Sequence, residues 1–287
     1  MLSITFLGTS GSIPTKKRGL SAIALRWQGK IFLWDCGEGT QRQMMNYGVP
    51  YGSLHSIFLS HLHLDHFLGV YGLIETLHLT QVAPRSLTIY SPGSFPLLAR
   101  RAFVDMKEIK KGMLLDGEDF SISAYPNKHS TTAYGFVFQE KPKRKFHADK
   151  AHRLGLKGRL FREIQQRGKV QVNGKTVKLE EVSWLQPGIK VVYSGDSRPS
   201  RTTAEAAKNA DLLIHEATFG EDKKEEALER LHTTAHEAAT LARKAKVKKL
   251  VLTHISSRYA DSVALLNEAK KAFPSTEIAE DGLLINL

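Results

Sequence analysis

Ser60-His61-Leu62-His63-Leu64-Asp65-His66 follows directly on the apolar run Ile57-Phe58-Leu59, which reads as the end of a buried strand. Three imidazoles and a carboxylate fall within six residues. In an extended segment alternate side chains share a face, so His61, His63 and Asp65 are predicted to point one way, with a turn at Asp65 bringing His66 into the same pocket. Neutral imidazole nitrogens and carboxylate oxygens are the usual donors to zinc in catalytic sites, which keep a position open for water. The competing reading is a polar surface loop that is merely His-rich. The coincidence of this spacing with a buried strand argues against it.

A second metal needs more ligands than this motif holds, so other strand ends are expected to supply them. Phe120 to Tyr125 leads to His129, Val191-Val192-Tyr193 leads to Asp196, and Leu250-Val251-Leu252 leads to His254. Each follows a short β-branched, aromatic or aliphatic run. Taken singly, a His after a strand is more often a hydrogen-bonded structural residue. Beside the cluster at 61–66 all three become candidate ligands, and Asp196 has two oxygens with which to bridge two metals.

These residues, with others along the chain, resemble the metallo-β-lactamase superfamily and, within it, the ribonuclease Z family of tRNA 3′-processing endonucleases. The resemblance rests on Phe6-Leu7-Gly8-Thr9-Ser10-Gly11, on Asp35 to Gln43 (Asp-Cys-Gly-Glu-Gly-Thr-Gln-Arg-Gln), and on the His cluster with Phe67 to Leu73. It continues through Ser194-Gly195-Asp196-Ser197-Arg198-Pro199, His215-Glu216-Ala217-Thr218, His232-Thr233-Thr234 and Thr253 to Tyr259. The His cluster marks only the superfamily; the Asp35–Gln43, His-Glu-Ala-Thr and final Thr-His-Ile-Ser-Ser-Arg-Tyr runs mark the family.

The resemblance implies an α/β fold, the αββα sandwich, with the metal site between its two sheets. It further implies two zinc ions per subunit, one held by His61, His63 and His129, the other by Asp65, His66 and His254, with Asp196 on both. Asp65 would also accept a hydrogen bond or a proton from the attacking hydroxide, and His232 would protonate the departing 3′ oxygen. Glu216 either orients His232 or, with His215, only pins the strand end. The implied products are a tRNA ending in a 3′-hydroxyl and a trailer beginning with a 5′-phosphate, made by a homodimer in which the arm of one subunit clamps tRNA at the other's active site. Apolar helix faces after Asp35 and His66 are the expected contacts. Three positions depart from the family's pattern: Gly19 in Pro14-Thr15-Lys16-Lys17-Arg18-Gly19 replaces Asn, Gly158-Arg159 replaces Gly-Pro, and Thr233 in His232-Thr233-Thr234 replaces Ser while keeping the hydroxyl.

Composition supplies an independent bound. At 287 residues with 41% hydrophobic side chains the chain can build a substantial core, read as one domain over 1–287. The N-terminus lacks a charged segment followed by an apolar stretch and cleavage site, and no run approaches the roughly eighteen apolar residues of a membrane span, so a cytoplasmic protein is expected. The single cysteine, Cys36, excludes intramolecular disulfides and reads as small buried packing rather than nucleophile or ligand.

The charge is concentrated. Residues 141–178 hold thirteen Lys or Arg against Asp149 and Glu163, which is +11 of the chain's formal +12. This segment reads as an inserted basic arm: one or two helices from about Ala148 to Arg167, then a hairpin Val170–Val177 whose Asn173-Gly174 suits a type I′ turn. Leu154, Leu156, Leu160, Phe161 and Ile164 are too few for an independent core. A polyphosphate backbone, precursor tRNA in view of the resemblance, is the expected partner.

Strands are predicted near 2–7, 20–26, 30–34, 56–60, 87–90 and 120–125, with helices at about 38–47 and 66–80, in a first half. A second half has strands near 134–139, 190–193, 211–214, 249–253 and 283–286, with helices at about 202–208, 222–229, 234–245 and 261–271. The last two residues of His232-Thr233-Thr234 suit N-caps, which puts His236 in a first turn facing solvent. A small-molecule hydrolase of the same fold, a phosphodiesterase or arylsulfatase, would share every ligand but has no need of a basic arm. A non-catalytic tRNA-binding protein has no use for the ligands.

Overall fold

The computed structural model describes residues 1–95 and 101–287 and divides the chain into two compact units, Met1–Phe138 with Lys190–Leu287, and Gln139–Ile189. In the larger unit the β-branched and aromatic runs form strands, as their shape favours on a pleated surface. One seven-stranded sheet has the order Leu284–Asn286, Leu2–Gly8, Ala22–Trp27, Lys30–Trp34, Leu54–Phe58, Leu87–Ser91, Val104–Glu108. A second has the order Thr276–Ile278, Lys249–Thr253, Leu212–Glu216, Lys190–Tyr193, Tyr134–Glu140, Phe120–Pro126, Gly112–Asp116.

The surfaces that face each other are aromatic. Ring centroids of Trp27 and Phe138 lie 5.4 Å apart, Phe32 and Phe120 5.3 Å, Phe58 and Phe136 5.8 Å, and Trp34 stacks on Tyr193 at 5.7 Å. Each pair joins one sheet to the other, and burying rings of this size is the largest apolar contribution a side chain can make. Outside, Thr40–Asn46 and Gly69–Leu79 set Met44, Val70, Leu73 and Leu77 on the first sheet. Ala235–Ala245 lays Ala235, Ala238, Ala239, Ala242 and Ala245 on the second, a small-residue stripe at helical spacing that allows close approach. The result is the expected αββα sandwich.

Sequence order did not settle strand membership. Leu284–Asn286 returns to the first sheet, antiparallel to Leu2–Gly8, while Phe120–Pro126 belongs to the second. Strands Val104–Glu108 and Gly112–Asp116 were not anticipated, because as edge strands they stay half-exposed and carry charges such as Asp105, Lys107 and Asp116 that hide the alternation. The helix expected at 66–80 is two, Leu64–Phe67 and Gly69–Leu79. At the joint a Cβ on Gly69 would stand 1.9 Å from the Gly37 carbonyl oxygen, so only glycine lets the two segments meet.

The smaller unit corrects the expectation that the insert lacks a core. Its helices Ala148–Arg153 and Arg159–Arg167 are separated at Gly155 and Gly158, both at positive φ (+85° and +50°). The hairpin Lys169–Val172 and Lys175–Lys178 turns through Asn173 (φ 50°) and Gly174 (φ 76°), the double left-handed pair a type I′ turn requires. Ala151, Leu156 and Ile164 are buried with Val170, Val172, Val177, Leu179 and Val182. The hairpin and the segment after it provide the apolar side chains that the helices lack. The unit runs past residue 178 and includes Glu140, Glu180 and Glu181, so it carries thirteen basic and five acidic residues, a net +8.

Candidate metal centre

Strand ends bring the sequence-predicted residues together. His61 lies just past Leu54–Phe58, Asp196 past Lys190–Tyr193, His254 past Lys249–Thr253, and His129 in the loop after Phe120–Pro126. The chain turns earlier than the alternating pattern suggested: the helix begins at Leu64, so Asp65 and His66 leave the face of His61 and His63. Two groups of donor atoms result, His61, His63 and His129 in one and Asp65, His66 and His254 in the other, while Asp196 also groups with His61 and His66 and with His232 and His254.

The second group has the edges of a coordination polyhedron. His66 Nε2 stands 3.3 Å from both Asp196 Oδ2 and His254 Nε2 and 3.5 Å from Asp65 Oδ2; His254 Nε2 is 3.3 Å from Asp196 Oδ2 and 3.4 Å from Asp65 Oδ2. A tetrahedral zinc with bonds of about 2.0–2.1 Å sets its ligand atoms about 3.3–3.4 Å apart. The first group is more open. His129 Nε2 lies 3.3 Å from His63 Nδ1 and His61 Nε2 lies 3.8 Å from Asp196 Oδ2, with His63 exposed and His61 buried. Buried His61 Nε2 and Asp196 Oδ1 have no hydrogen-bond partner, which is a cost the fold bears unless a cation takes their lone pairs.

The tautomers agree with that reading. Ser60 Oγ donates to Asp35 Oδ2 at 2.9 Å and so accepts from His61 Nδ1 at 2.9 Å, leaving His61 Nε2 as a lone pair. His66 Nδ1 donates to Asp35 Oδ2 at 2.8 Å. Thr218 Oγ1 donates to Glu216 Oε2 at 2.7 Å and accepts from His254 Nδ1 at 2.8 Å, which turns His254 Nε2 inward in the same way. Electrostatics point to a cation as well. Although burial opposes it, Asp196 and Asp35 hold His66 well above its ordinary pKa, and Asp196 is held well below the usual carboxylate range against its own burial by His254 and His66. Burial and the neighbouring His66 push His61 well down, toward the neutral form that ligates. A divalent cation fits this donor set.

Asp35, Ser60 and Thr218 were not assigned by sequence reasoning. The signal for Asp35 was a carboxylate ending the apolar strand Lys30–Trp34, a position without water to solvate it; Asp35 is fully buried. Cys36 next to it is buried, its thiol pushed up to about 12 by that burial, consistent with packing rather than chemistry.

His232 lies against the cluster. Its Nδ1 is 2.9 Å from Glu216 Oε1 and 3.9 Å from Asp196 Oδ2, and Arg198 Nη1 donates to its carbonyl at 2.5 Å. Burial lowers its pKa, but the charge and hydrogen bond of Glu216 together with the charge of Asp196 raise it to about 9. Glu216 also accepts from the backbone N–H groups of Ser197 (2.9 Å) and Thr233 (3.1 Å). It therefore both orients His232 and ties strand ends together. His215, by contrast, bonds only the Glu216 carbonyl (2.7 Å) through Nδ1, and its buried Nε2 has no partner. His236 is exposed in the first turn after the Thr234 cap, as expected, its backbone N–H bonded to Glu268 at 2.8 Å. At Gly19 a Cβ would come 3.3 Å from Gln43 Nε2 and 3.4 Å from Asp281 Oδ2, the ends of two side chains.

An αββα sandwich whose strand ends gather His and Asp in this way defines a metal-dependent hydrolase of the metallo-β-lactamase superfamily. The family model for the beta-lactamase superfamily domain matches residues 158–255, and one described as Anti-Pycsar protein Apyc1 matches residues 2–95. The chain is 43% identical to ribonuclease Z of Methanosarcina acetivorans and 44% identical to that of Archaeoglobus fulgidus, each over 98% of this chain and 96% of the relative, and so belongs to the ribonuclease Z family. The crystal structure of human tRNase Z, short form, superposes with a TM-score of 0.70 at 27% identity, covering 99% of this chain and 98% of that one.

Proposed function

We propose that this protein is a zinc-dependent endoribonuclease that removes the 3′ trailer from precursor tRNA. The observation that carries the reading is the near full-length identity to ribonuclease Z; the placement of His232 and Glu216 beside the donor cluster supports it. His61, His63 and His129 would hold one zinc, Asp65, His66 and His254 a second, and Asp196 both. Bound there, the two ions would supply Lewis acidity, lowering the pKa of a water and neutralising phosphate charge.

The chain's own groups handle the protons and the strand. Asp65, whose Oδ2 also accepts the Ser12 N–H at 2.8 Å, takes a proton from the attacking water. As the bond between phosphorus and the 3′ oxygen breaks, His232 gives a proton to that oxygen while Glu216 holds Nδ1. One water is consumed; the tRNA keeps a 3′-hydroxyl and the trailer a 5′-phosphate. The smaller unit, with its net +8, engages the tRNA body.

The active form in this reading is a homodimer, supported by the exposure of the apolar Met45, Leu64, Leu68 and Leu79 on or beside the helices after Asp35 and His66. No helix among the described residues is long and apolar enough to cross a membrane; kinship with ribonuclease Z supports an enzyme that works on tRNA in the cytoplasm. Incubation with end-labelled precursor tRNA tests the reading: cleavage at the trailer junction with the stated ends is expected. An intact precursor beside rapid turnover of a small phosphodiester would replace it with the small-molecule alternative. Sedimentation showing a fully active monomer would remove the dimer.

A further inference from the structure

The smaller unit carries a feature that net charge does not explain. Strands Lys143–Phe146 and Ser183–Gln186 pair antiparallel, with Lys145 opposite Trp184 and Lys143 opposite Gln186. Opposed residues share a face, and so do residues two apart. One face therefore presents Lys143, Lys145, Trp184 and Gln186, all exposed, and it is extended by exposed His147, whose ring centroid lies 6.5 Å from that of Trp184. The other face carries Phe146, packed edge-on against Phe161 at 5.0 Å beside the unit's core. Burial along 143–147 alternates accordingly.

Trp184 is 42% exposed, whereas Trp27 and Trp34, the other tryptophans, are 2% and 0% exposed. A large aromatic ring left in water on a paired strand, directly opposite Lys145, is a platform for a planar partner that is also anionic. Single-stranded nucleic acid has that chemistry, because every base offers a π-face and every linkage a phosphate. Paired stems do not, since their base faces are already stacked. Resting on the tRNA reading above, we propose that Trp184 stacks on an unpaired nucleobase of the precursor tRNA while Lys145 takes a neighbouring phosphate.

Tryptophan emission of the full-length protein tests this directly, because Trp184 alone among the three is open to acrylamide. Saturating precursor tRNA is expected to quench that accessible emission and shield it from acrylamide, whereas heparin at matched charge is not. Trp184→Ala is expected to weaken tRNA binding about 5- to 150-fold, the worth of one stacked base, without changing the slope of log affinity against log salt. Trp184→Phe should recover most of the loss. Lys145→Ala is expected to lower that slope by about 0.7–0.9.

Unchanged emission and accessibility with tRNA bound and cleaved would overturn the platform alone. So would equal quenching by heparin, equal affinity of Trp184→Ala, or a Trp184→Phe variant as weak as Trp184→Ala. A shift caused by anionic phospholipid vesicles and not by tRNA would assign the face to a membrane surface instead. Wild-type protein that neither binds nor cleaves precursor tRNA would overturn the proposed function itself, and the platform with it.

Discussion

Asp35 Oδ2 lies 2.8 Å from His66 Nδ1, and the same carboxylate accepts from the Ser60 backbone (2.7 Å), the Ser60 hydroxyl (2.9 Å) and the Tyr193 hydroxyl (2.7 Å). All four residues belong to the interior. Directly and through Ser60, one buried carboxylate sets the ring orientation of two candidate ligands, His66 and His61. Asp35 adopts φ 59° to do so, a left-handed conformation that Asp tolerates better than most residues. The stack of Trp34 on Tyr193 at 5.7 Å fixes the phenol that reaches the same oxygen.

Asp35→Ala is accordingly expected to act at a distance from the metals. It leaves four buried donors without an acceptor, which destabilises the fold by about 3–5 kcal/mol, and it frees His66 to rotate. Zinc affinity measured by chelator competition should fall about 10- to 100-fold. Asp35→Asn keeps the volume and should fall between the two. Wild-type zinc affinity in Asp35→Asn would show that the carboxylate only packs.

Elemental analysis of the purified protein should find close to two zinc ions per chain. Asp196→Ala should reduce that number, because its oxygen lies 3.3 Å from both His66 Nε2 and His254 Nε2 and 3.8 Å from His61 Nε2. His236→Ala, in the exposed first turn of its helix, should leave the metal content alone. One metal or fewer in fully active protein would exclude a two-metal centre.

If His232 protonates the leaving oxygen, His232→Ala should lower kcat roughly 10²- to 10⁴-fold with metal content and tRNA affinity kept. Glu216→Gln should lower kcat in the same direction, and because Glu216 also anchors the Thr218 hydroxyl that holds His254, the zinc content of this variant separates an effect on His232 from one on the metal ligand. Loss of zinc from His232→Ala would reassign it as the ligand that its grouping with Asp196 and His254 also allows.

Individual strands, and the His and Asp residues at their ends, were legible because they rest on short-range pattern, apolar runs of strand length each ending in His or Asp; the two-sheet layering came from the family resemblance. What such pattern could not carry was set by long-range contact. Asp35, Ser60, Thr218 and Tyr193 bond side chains up to 158 positions away, and no local period marks them. The break between helices Leu64–Phe67 and Gly69–Leu79 falls where Gly69 packs against Gly37, again a contact outside the local window. In the insert, counting apolar residues by helix missed a core that the hairpin completes.

Gly69→Ala tests that packing. The added methyl would sit 1.9 Å from the Gly37 oxygen and 2.9 Å from the Cys36 oxygen, both backbone, so one of the two segments has to move. Destabilisation of about 1–3 kcal/mol or more is expected in denaturant unfolding, together with weaker zinc binding, because the displaced helix start carries Asp65 and His66. A variant with wild-type stability and metal affinity would show that the helix break has another cause.

The last prediction separates recognition from catalysis. A deletion confined to the two helices of the smaller unit would cut through its core, so the whole of Glu140–Ile189 has to be removed. The Glu140 N–H donates to the Ile189 carbonyl at 2.8 Å, which shows that the ends of the removed segment lie side by side and that a short Gly-Ser bridge closes the gap. The deletion takes away a net +8 and none of His61, His63, Asp65, His66, His129, Asp196, His232 or His254. Zinc content is expected to stay near two. Precursor tRNA should bind much more weakly, and because each phosphate neutralised contributes about −0.7 to −0.9 to the slope of log affinity against log salt, losing three or four contacts flattens that slope by about two to three. Equal tRNA affinity and an equal salt slope would mean that the basic unit is a solvated surface, and that the larger unit recognises its substrate alone.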